Sequence, residues 1–418
     1  MKRFFAFISI LIIAFWGCSK RENPVDPVIP QGKIAVGHIN GVSLSGNLLD
    51  DPAGRTVYIY EPPGYVIAQL DSYEVYIEST FTGGVHWDTT FVNYVVRGTE
   101  YPSLYLLHGY GGRYDYYTTF FLIQDVLDEM IYNGEIEPMV VITPNCNNGL
   151  GGSFYTNSPD DPPGSGVSFG GRYEDLITGE LITYVNDNFN VDTVAARRGI
   201  SGHSMGGYGA IKLAMNHPDL FGSVSSMSAP LAFAGLSAWI GPMLEENGLN
   251  PDSLPDDTTW FYSIMPSLDK RLTAMMFAMG AAFSPHDLTD PDTTYFHRLL
   301  DVPFLYGVDL PFNFEGELDT MSSVWAGWLA NDPLTMLMAG GHTALANTPI
   351  YLDCGNMDDL GLNYQNQAFA QALAAFGLTY QYIEYTGFTG MDANHITYIA
   401  DRLRDVFRFH SQVFSAGE

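Results

Sequence analysis

A chain of 418 residues is long enough to bury a large core, in one large domain or in two or three smaller ones. Its 18 Lys and Arg stand against 47 Asp and Glu, a net charge of −29, which argues strongly against a nucleic-acid phosphate backbone as partner. The acid excess suits a soluble protein facing an exterior milieu, and its plainest role is solubility.

Lys2 and Arg3 open the chain as a basic cluster, followed by an apolar run over 4–16. That run is too short to span ~30 Å of bilayer hydrocarbon and has the layout of an export signal. Gly17-Cys18-Ser19 follows. A small residue before a cysteine, just past an apolar core, resembles a bacterial lipoprotein signal. The expectation is a signal segment over 1–18 with Cys18 as the lipidation site; the alternative is an ordinary secretory signal with an incidental cysteine. Over 19–33, Pro24, Pro27 and Pro30 recur every third residue, which favours an extended polyproline spacer. The folded domain is then 34–418.

Residues 65–100 read as a β-hairpin, because 73–79 and 89–96 are rich in β-formers and Gly83-Gly84 lies between them. Beyond it, short apolar runs alternate with helical patterns, which argues for a mostly parallel sheet covered by helices. Strands are expected at 103–107, 139–143, 198–201, 222–228, 349–353 and 379–385. Leu122, Ile123, Val126, Leu127, Met130 and Ile131 share one helical face, as do Leu176, Ile177, Leu181, Ile182 and Val185. Tyr208, Ile211 and Met215 form a third stripe, ended by His217-Pro218, and Ile396, Ile399, Leu403 and Val406 form a fourth. Residues 230–348 interrupt the alternation after a strand end and read as a cap insertion. It holds Trp239, Trp260, Trp325 and Trp328. Most of its aromatics are expected to fill a small core of its own, and a minority to line a substrate cleft. Cys146 and Cys354 are expected as buried free thiols, and no Cys/His spacing resembles a zinc site.

Gly202-His203-Ser204-Met205-Gly206-Gly207 sits between an apolar strand and a helical pattern. A Gly-x-Ser-x-Gly on a strand-to-helix turn is a nucleophile elbow, which holds its serine in a strained conformation at a helix N-terminus. A serine hydroxyl needs a base, usually a histidine oriented by a carboxylate, and on this kind of sheet the chain order is Ser, acid, His. Asp358 and Asp359 lie in the loop beyond the 349–353 strand, at the edge where catalysis gathers, whereas Asp353 lies within the strand pattern. Of the ten histidines, His395 alone follows the last strand; His108 and His203 flank loops of interest but fall in the wrong order. The oxyanion hole needs two backbone N–H donors, here Met205 after the nucleophile and Tyr110 in the Gly109-Tyr110-Gly111-Gly112 loop.

Several segments match a known family together. They are Glu61-Pro62-Pro63-Gly64-Tyr65, Tyr101-Pro102-Ser103-Leu104-Tyr105-Leu106-Leu107-His108-Gly109 and Gly152-Ser153-Phe154-Tyr155-Thr156-Asn157-Ser158. Residues 202–210 around the serine, His217-Pro218-Asp219-Leu220-Phe221, Asp353-Cys354-Gly355 through Asp358, and the helix after His395 complete the set. The chain thereby resembles the putative-esterase family of α/β-hydrolases, which includes feruloyl esterases, S-formylglutathione hydrolases, enterochelin-type esterases and mycolyltransferases. The resemblance implies an α/β-hydrolase fold, a mostly parallel eight-stranded sheet flanked by helices, with the strands ending at Asn145 and Asp353 not adjacent. It also implies a triad of Ser204, Asp358 and His395, with Asp359 as the fallback acid, and no metal or organic cofactor. The 65–100 hairpin and the long cap are additions to the family pattern.

The expected function is an exported serine carboxylic ester hydrolase acting on feruloyl, acetyl or other short acyl esters of plant-derived material. An acyltransferase would use the same triad. A non-catalytic esterase-fold binding lipoprotein is the reading from a different class, and the presence of all three triad candidates argues against it. The partner is then a small-molecule or polysaccharide-linked ester; no nucleic acid is expected, the membrane is met only through the lipid anchor, and oligomeric state is left open.

Overall fold

The computed structural model describes residues 28–417 apart from 67–68, 82–83, 97–99, 268, 287–295, 299–306 and 389; for 69–81, 84–96 and 296–298 it describes the backbone alone. The signal segment with Cys18, and 19–27 of the expected spacer, lie outside the described residues.

In chain order the strands are β1 (Lys33–Asn40), β2 (Gly54–Glu61), β3 (Gln69–Phe81), β4 (Gly84–Val96), β5 (Ser103–Leu107), β6 (Val140–Pro144), β7 (Arg198–Gly202) and β8 (Ser223–Met227). They continue with β9 (Phe296–Arg298), β10 (Gly307–Asp309), β11 (Ile350–Gly355) and β12 (Tyr380–Tyr385). Eight of these form one sheet in the order β1-β2-β6-β5-β7-β8-β11-β12. From β6 to β12 the strands run parallel, and β2 and β1 add an antiparallel edge. No expected strand covers β1 and β2, although Val57-Tyr58-Ile59-Tyr60 carries an apolar signal. Among the described residues, the hairpin β3–β4 pairs only with itself, from Gln69↔Val96 to Phe81↔Gly84.

The strands are apolar on both faces because the sheet is covered on both. In β5, Tyr105 and Leu107 enter one buried cluster, and Leu104 and Leu106 enter the other. In β11, Ile350, Leu352 and Cys354 face the first cluster and Tyr351 the second. This is the period-2 alternation of a doubly covered sheet.

The helices are α1 (Tyr116–Phe121), α2 (Ile123–Tyr132), α3 (Tyr173–Asp175), α4 (Ile182–Asn188), α5 (Met205–Asn216), α6 (Ser237–Glu246), α7 (Arg271–Phe283), α8 (Ser323–Leu329), α9 (Pro333–Met336), α10 (His342–Ala344), α11 (Leu362–Ala375) and α12 (Ile399–Ala416). A π-helical segment, Leu176–Leu181, joins α3 to α4, and its Leu176, Ile177 and Leu181 are buried as the stripe required. α5 is buried along almost its whole length, against β7 and β8. α2 and α12 cover the opposite face.

Two stripe residues depart from expectation. Leu122 stands at φ 48° between α1 and α2 and is 60% exposed, so the left-handed kink turns it out of the buried face. Ile396 is also 60% exposed, because α12 begins only at Ile399. The cap differs as well. Trp239, Trp260, Trp325 and Trp328 are all buried, in the same cluster as Ile59, Leu107 and Ile200 of the sheet, so the described residues of 230–348 have no separate small core. The cause is topological: the insertion leaves β8 and returns to its neighbour β11, and so stays over the face that carries α5 and α11. Phe233 stacks on Tyr208 of α5 at 5.7 Å, and Trp239 Nε1 donates to Leu360 O at 2.8 Å.

Cys146 and Cys354 are buried free thiols, and three strands separate β6 from β11.

Candidate active site

The elbow joins β7 to α5. Ser204 adopts φ 57°, ψ −120°, a region that costs a non-glycine residue about 1–3 kcal/mol. The surrounding main chain holds it there: Ser204 N donates to Met227 O at 2.8 Å, Gly206 N to His203 O at 2.8 Å and Tyr208 N to Ser204 O at 3.0 Å. The flanking glycines serve close approach. A Cβ on Gly202 would stand 2.4 Å from the Gly206 carbonyl carbon, and one on Gly206 would stand 2.0 Å from Leu107 O. The turn is therefore pressed against β5, and no side chain fits between.

His395 lies in the loop between β12 and α12. Gly355, at the end of β11, brings that loop in: a Cβ there would be 2.0 Å from Ala393 O. His395 Nε2 is 2.9 Å from Ser204 Oγ, and His395 Nδ1 is 2.9 Å from Asp358 Oδ2. Asp358 also accepts from Leu360 N at 3.0 Å and from the Cys354 thiol at 3.5 Å. Burial pushes the Asp358 carboxyl upward, but the His395 hydrogen bond and charge, with the Leu360 N–H, hold it below its usual value. The structure thus brings Ser204, His395 and Asp358 into one line. Asp359 is exposed and does not touch the ring; its Oδ1 accepts from the main-chain N–H of His395 at 3.2 Å. Asp353 sits within β11, and its buried carboxylate pairs with Arg402 of α12, whose Nη2 also donates to Ser228 Oγ at 2.8 Å.

The loop after β5 lies on the elbow: a Cβ on Gly109 would be 3.5 Å from Ser204 Cβ. Tyr110 OH donates to Leu150 O at 2.7 Å and Gly111 N to Gly151 O at 2.8 Å, which pins this loop to the segment ahead of Gly152-Ser153-Phe154-Tyr155. Met205 N–H is the first of α5 and has no acceptor within its helix. Among the described residues, the Tyr110 N–H makes no backbone hydrogen bond.

The two out-of-order histidines take structural places. His108 Nδ1 is 2.9 Å from Gly109 O, and its Nε2 accepts from Cys146 N at 3.0 Å. Burial lowers its pKa to about 4, so the ring is neutral. His203 Nε2 is 2.9 Å from His395 O, and its Nδ1 is 3.2 Å from Tyr116 OH. Sequence order alone gave no role to His203 or Tyr116 and offered Asp359 only as the fallback triad acid; His203 and Asp359 bond the main chain of His395, and Tyr116 bonds the His203 ring. Their only sequence signal is adjacency to a triad member or to the loop after β5.

Over 104 residues the chain is 38% identical to the S-formylglutathione hydrolase of Mus musculus, an alignment covering 25% of this chain and 34% of that protein. The chain thus spans about a third of the length of curated relatives that it matches. Its fold is similar to that of a ferulic acid esterase, with TM-score 0.52 and 19% identity over 92% of this chain and 99% of the other. It is also similar to that of S-formylglutathione hydrolase from Agrobacterium tumefaciens, with TM-score 0.53 and 14% identity over 93% of this chain and 98% of the other. At these identities the likeness speaks for the α/β-hydrolase fold. The family described as "Putative esterase" matches residues 82–396, well over half of the chain. The chain belongs to the putative-esterase family.

Proposed function

We propose that this protein is an exported serine carboxylic ester hydrolase that works through an acyl-enzyme. The unbroken line from Ser204 Oγ through His395 to Asp358, at 2.9 Å per step, carries this reading. His395 Nε2 takes the Ser204 proton as Oγ attacks the ester carbonyl, and the buried Asp358 carboxylate stabilises the imidazolium that forms. The N–H groups of Met205 and Tyr110 receive the oxyanion; loss of one such donor typically costs ~3 kcal/mol. His395 then gives its proton to the leaving alcohol. Water enters, loses a proton to His395 and releases the acid, which restores Ser204.

Feruloyl, acetyl and other short acyl esters of plant-derived material are the proposed substrates, in keeping with relatives and structural neighbours named as ferulic acid esterase and S-formylglutathione hydrolase. Residues 1–18 are the proposed export signal, Cys18 the lipid attachment site and 19–33 the spacer that holds the domain off the membrane. Purified mature protein is assayed on p-nitrophenyl esters and methyl ferulate beside Ser204→Ala. Hydrolysis lost in the variant is the expected result; equal rates in both proteins would end the esterase reading. For the anchor, Cys18→Ser protein is expected to leave the membrane fraction, and its retention there refutes lipidation at Cys18.

A further inference from the structure

His395 belongs to a loop without regular structure, yet its Nε2 must stay within hydrogen-bond reach of Ser204 Oγ. Its main chain is held at both ends. The His395 N–H donates to Asp359 Oδ1 at 3.2 Å, and the His395 carbonyl lies 2.9 Å from His203 Nε2. A carbonyl only accepts, so His203 Nε2 carries the proton. Burial, followed by the nearby His395 and Arg402, holds the His203 pKa well below its ordinary value, so the ring is neutral and its Nδ1 is an acceptor. Tyr116 OH, 3.2 Å from that Nδ1, must then donate. Donor and acceptor chemistry therefore fixes one directed chain, from Tyr116 O–H to His203 Nδ1 and from His203 Nε2–H to the His395 carbonyl.

His203 is covalently next to the nucleophile, and its main-chain N–H donates to Tyr117 OH at 3.1 Å, which fixes the backbone from which the ring projects. Its ring centroid lies 4.8 Å from that of His395, with the planes tilted at 42°. A neutral ring there adds no like charge when His395 becomes an imidazolium.

Building on the triad reading above, we propose that His203, oriented by Tyr116, is a positioning residue that ties the loop carrying the base to the elbow carrying the nucleophile. It touches no reacting atom. It sets the Ser204–His395 distance through the main chain, while Asp358 sets the ring and Asp359 the opposite peptide. A displacement of about 1 Å in such a pair costs ~100-fold in rate.

The test compares His203→Leu, which removes both hydrogen bonds, with His203→Gln, whose amide can donate to the carbonyl and accept from Tyr116. Two readouts are used: p-nitrophenyl acetate kinetics, and the downfield proton resonance of His395 Nδ1–H in the folded protein, which needs no turnover. For His203→Leu, kcat is expected to fall roughly 10–100-fold with KM within about twofold, and the Nδ1–H resonance to broaden. For His203→Gln, most of kcat and the resonance are recovered, and Tyr116→Phe shows a smaller loss in the same direction. An unchanged resonance and kcat in His203→Leu would overturn the proposal. So would equal losses in Leu and Gln variants that follow a shared fall in thermal midpoint. Failure of the esterase reading shows separately, as a wild type no faster than Ser204→Ala, and the resonance still decides the positioning role.

Discussion

Adjacent acids at 358 and 359 offer a sharp test of the site, because the structure gives them different work. Asp358 is buried and bonds the His395 ring, while Asp359 is exposed and bonds only the His395 main chain. Asp358→Asn leaves an amide of the same shape but removes the charge that stabilises the imidazolium. The transition state, in which His395 is an imidazolium, thereby loses about 3–5 kcal/mol of stabilisation, the scale of a broken buried ion pair. At ~1.4 kcal/mol per tenfold, kcat should fall roughly 10²- to 10⁴-fold. Asp359→Asn keeps an oxygen that can accept from the His395 N–H, so its effect should stay within about twofold. Asp359→Ala loses one neutral-donor bond, worth about 0.5–1.5 kcal/mol, or roughly 2- to 12-fold. The assay is kcat and KM on p-nitrophenyl acetate, with urea unfolding to confirm equal folding. The ranking Asp358→Asn far below Asp359→Ala, and Asp359→Asn near wild type, is the expected outcome. A loss of 100-fold or more in Asp359→Asn beside a mild Asp358→Asn would refute the assignment, and with it the geometry of the loop after β11.

Three further outcomes follow from the packing. Gly206→Ala would place a methyl 2.0 Å from the Leu107 carbonyl, so it should destabilise by about 1–3 kcal/mol or more and lose most activity; Gly179→Ala, where nothing lies within 4 Å, should be neutral or slightly stabilising, and equal effects of the two in urea titrations would contradict the close approach. His108 and His410 are held neutral by burial, with pKa values lowered to about 4 and about 3, against an ordinary ~6.5. Below pH ~6.5 the unfolded chain takes up protons that the fold refuses, so this stability is complete above that pH and is lost as pH falls. Between pH 7 and pH 4 these two histidines remove about 6 kcal/mol at ~1.36 kcal/mol per pH unit, while Asp51, raised to about 6 by burial, restores about 2. The balance of these three groups, a loss of about 4 kcal/mol, should move the urea midpoint down between pH 7 and pH 4, since total stability is typically only 5–15 kcal/mol; a flat midpoint would contradict it. Trp328→Ala should cost about 3–5 kcal/mol in a single unfolding transition, because Trp328 shares one cluster with the sheet; a separate cap transition would show two cores.

Period and punctuation made much of this molecule legible in the sequence. The six expected strands lie within about two residues of β5, β6, β7, β8, β11 and β12, because strands buried on both faces are dense apolar runs bounded by glycine, proline and polar loops. β1 and β2 form the antiparallel edge, where burial is partial at β1 and the apolar run is diluted by Gly37, His38, Arg55 and Thr56. Leu122 and Ile396 show the limit of a stripe: periodicity counts an apolar residue wherever it falls, and only a backbone dihedral or a helix start reveals that it points outward. The site divides the same way. Ser204 announced itself because its strained turn requires glycines on both sides, and those glycines are a local pattern. His395 and the pair at 358–359 were located by chain order along a sheet. What chain order cannot carry is a hydrogen bond to another segment's main chain, since any residue's carbonyl can accept it or its N–H donate it, and no particular residue type marks the partner. His203 and Asp359 act in that way, on the two sides of one residue. The elbow motif therefore encodes more than a nucleophile: the histidine inside it also reaches back to the loop that carries the base.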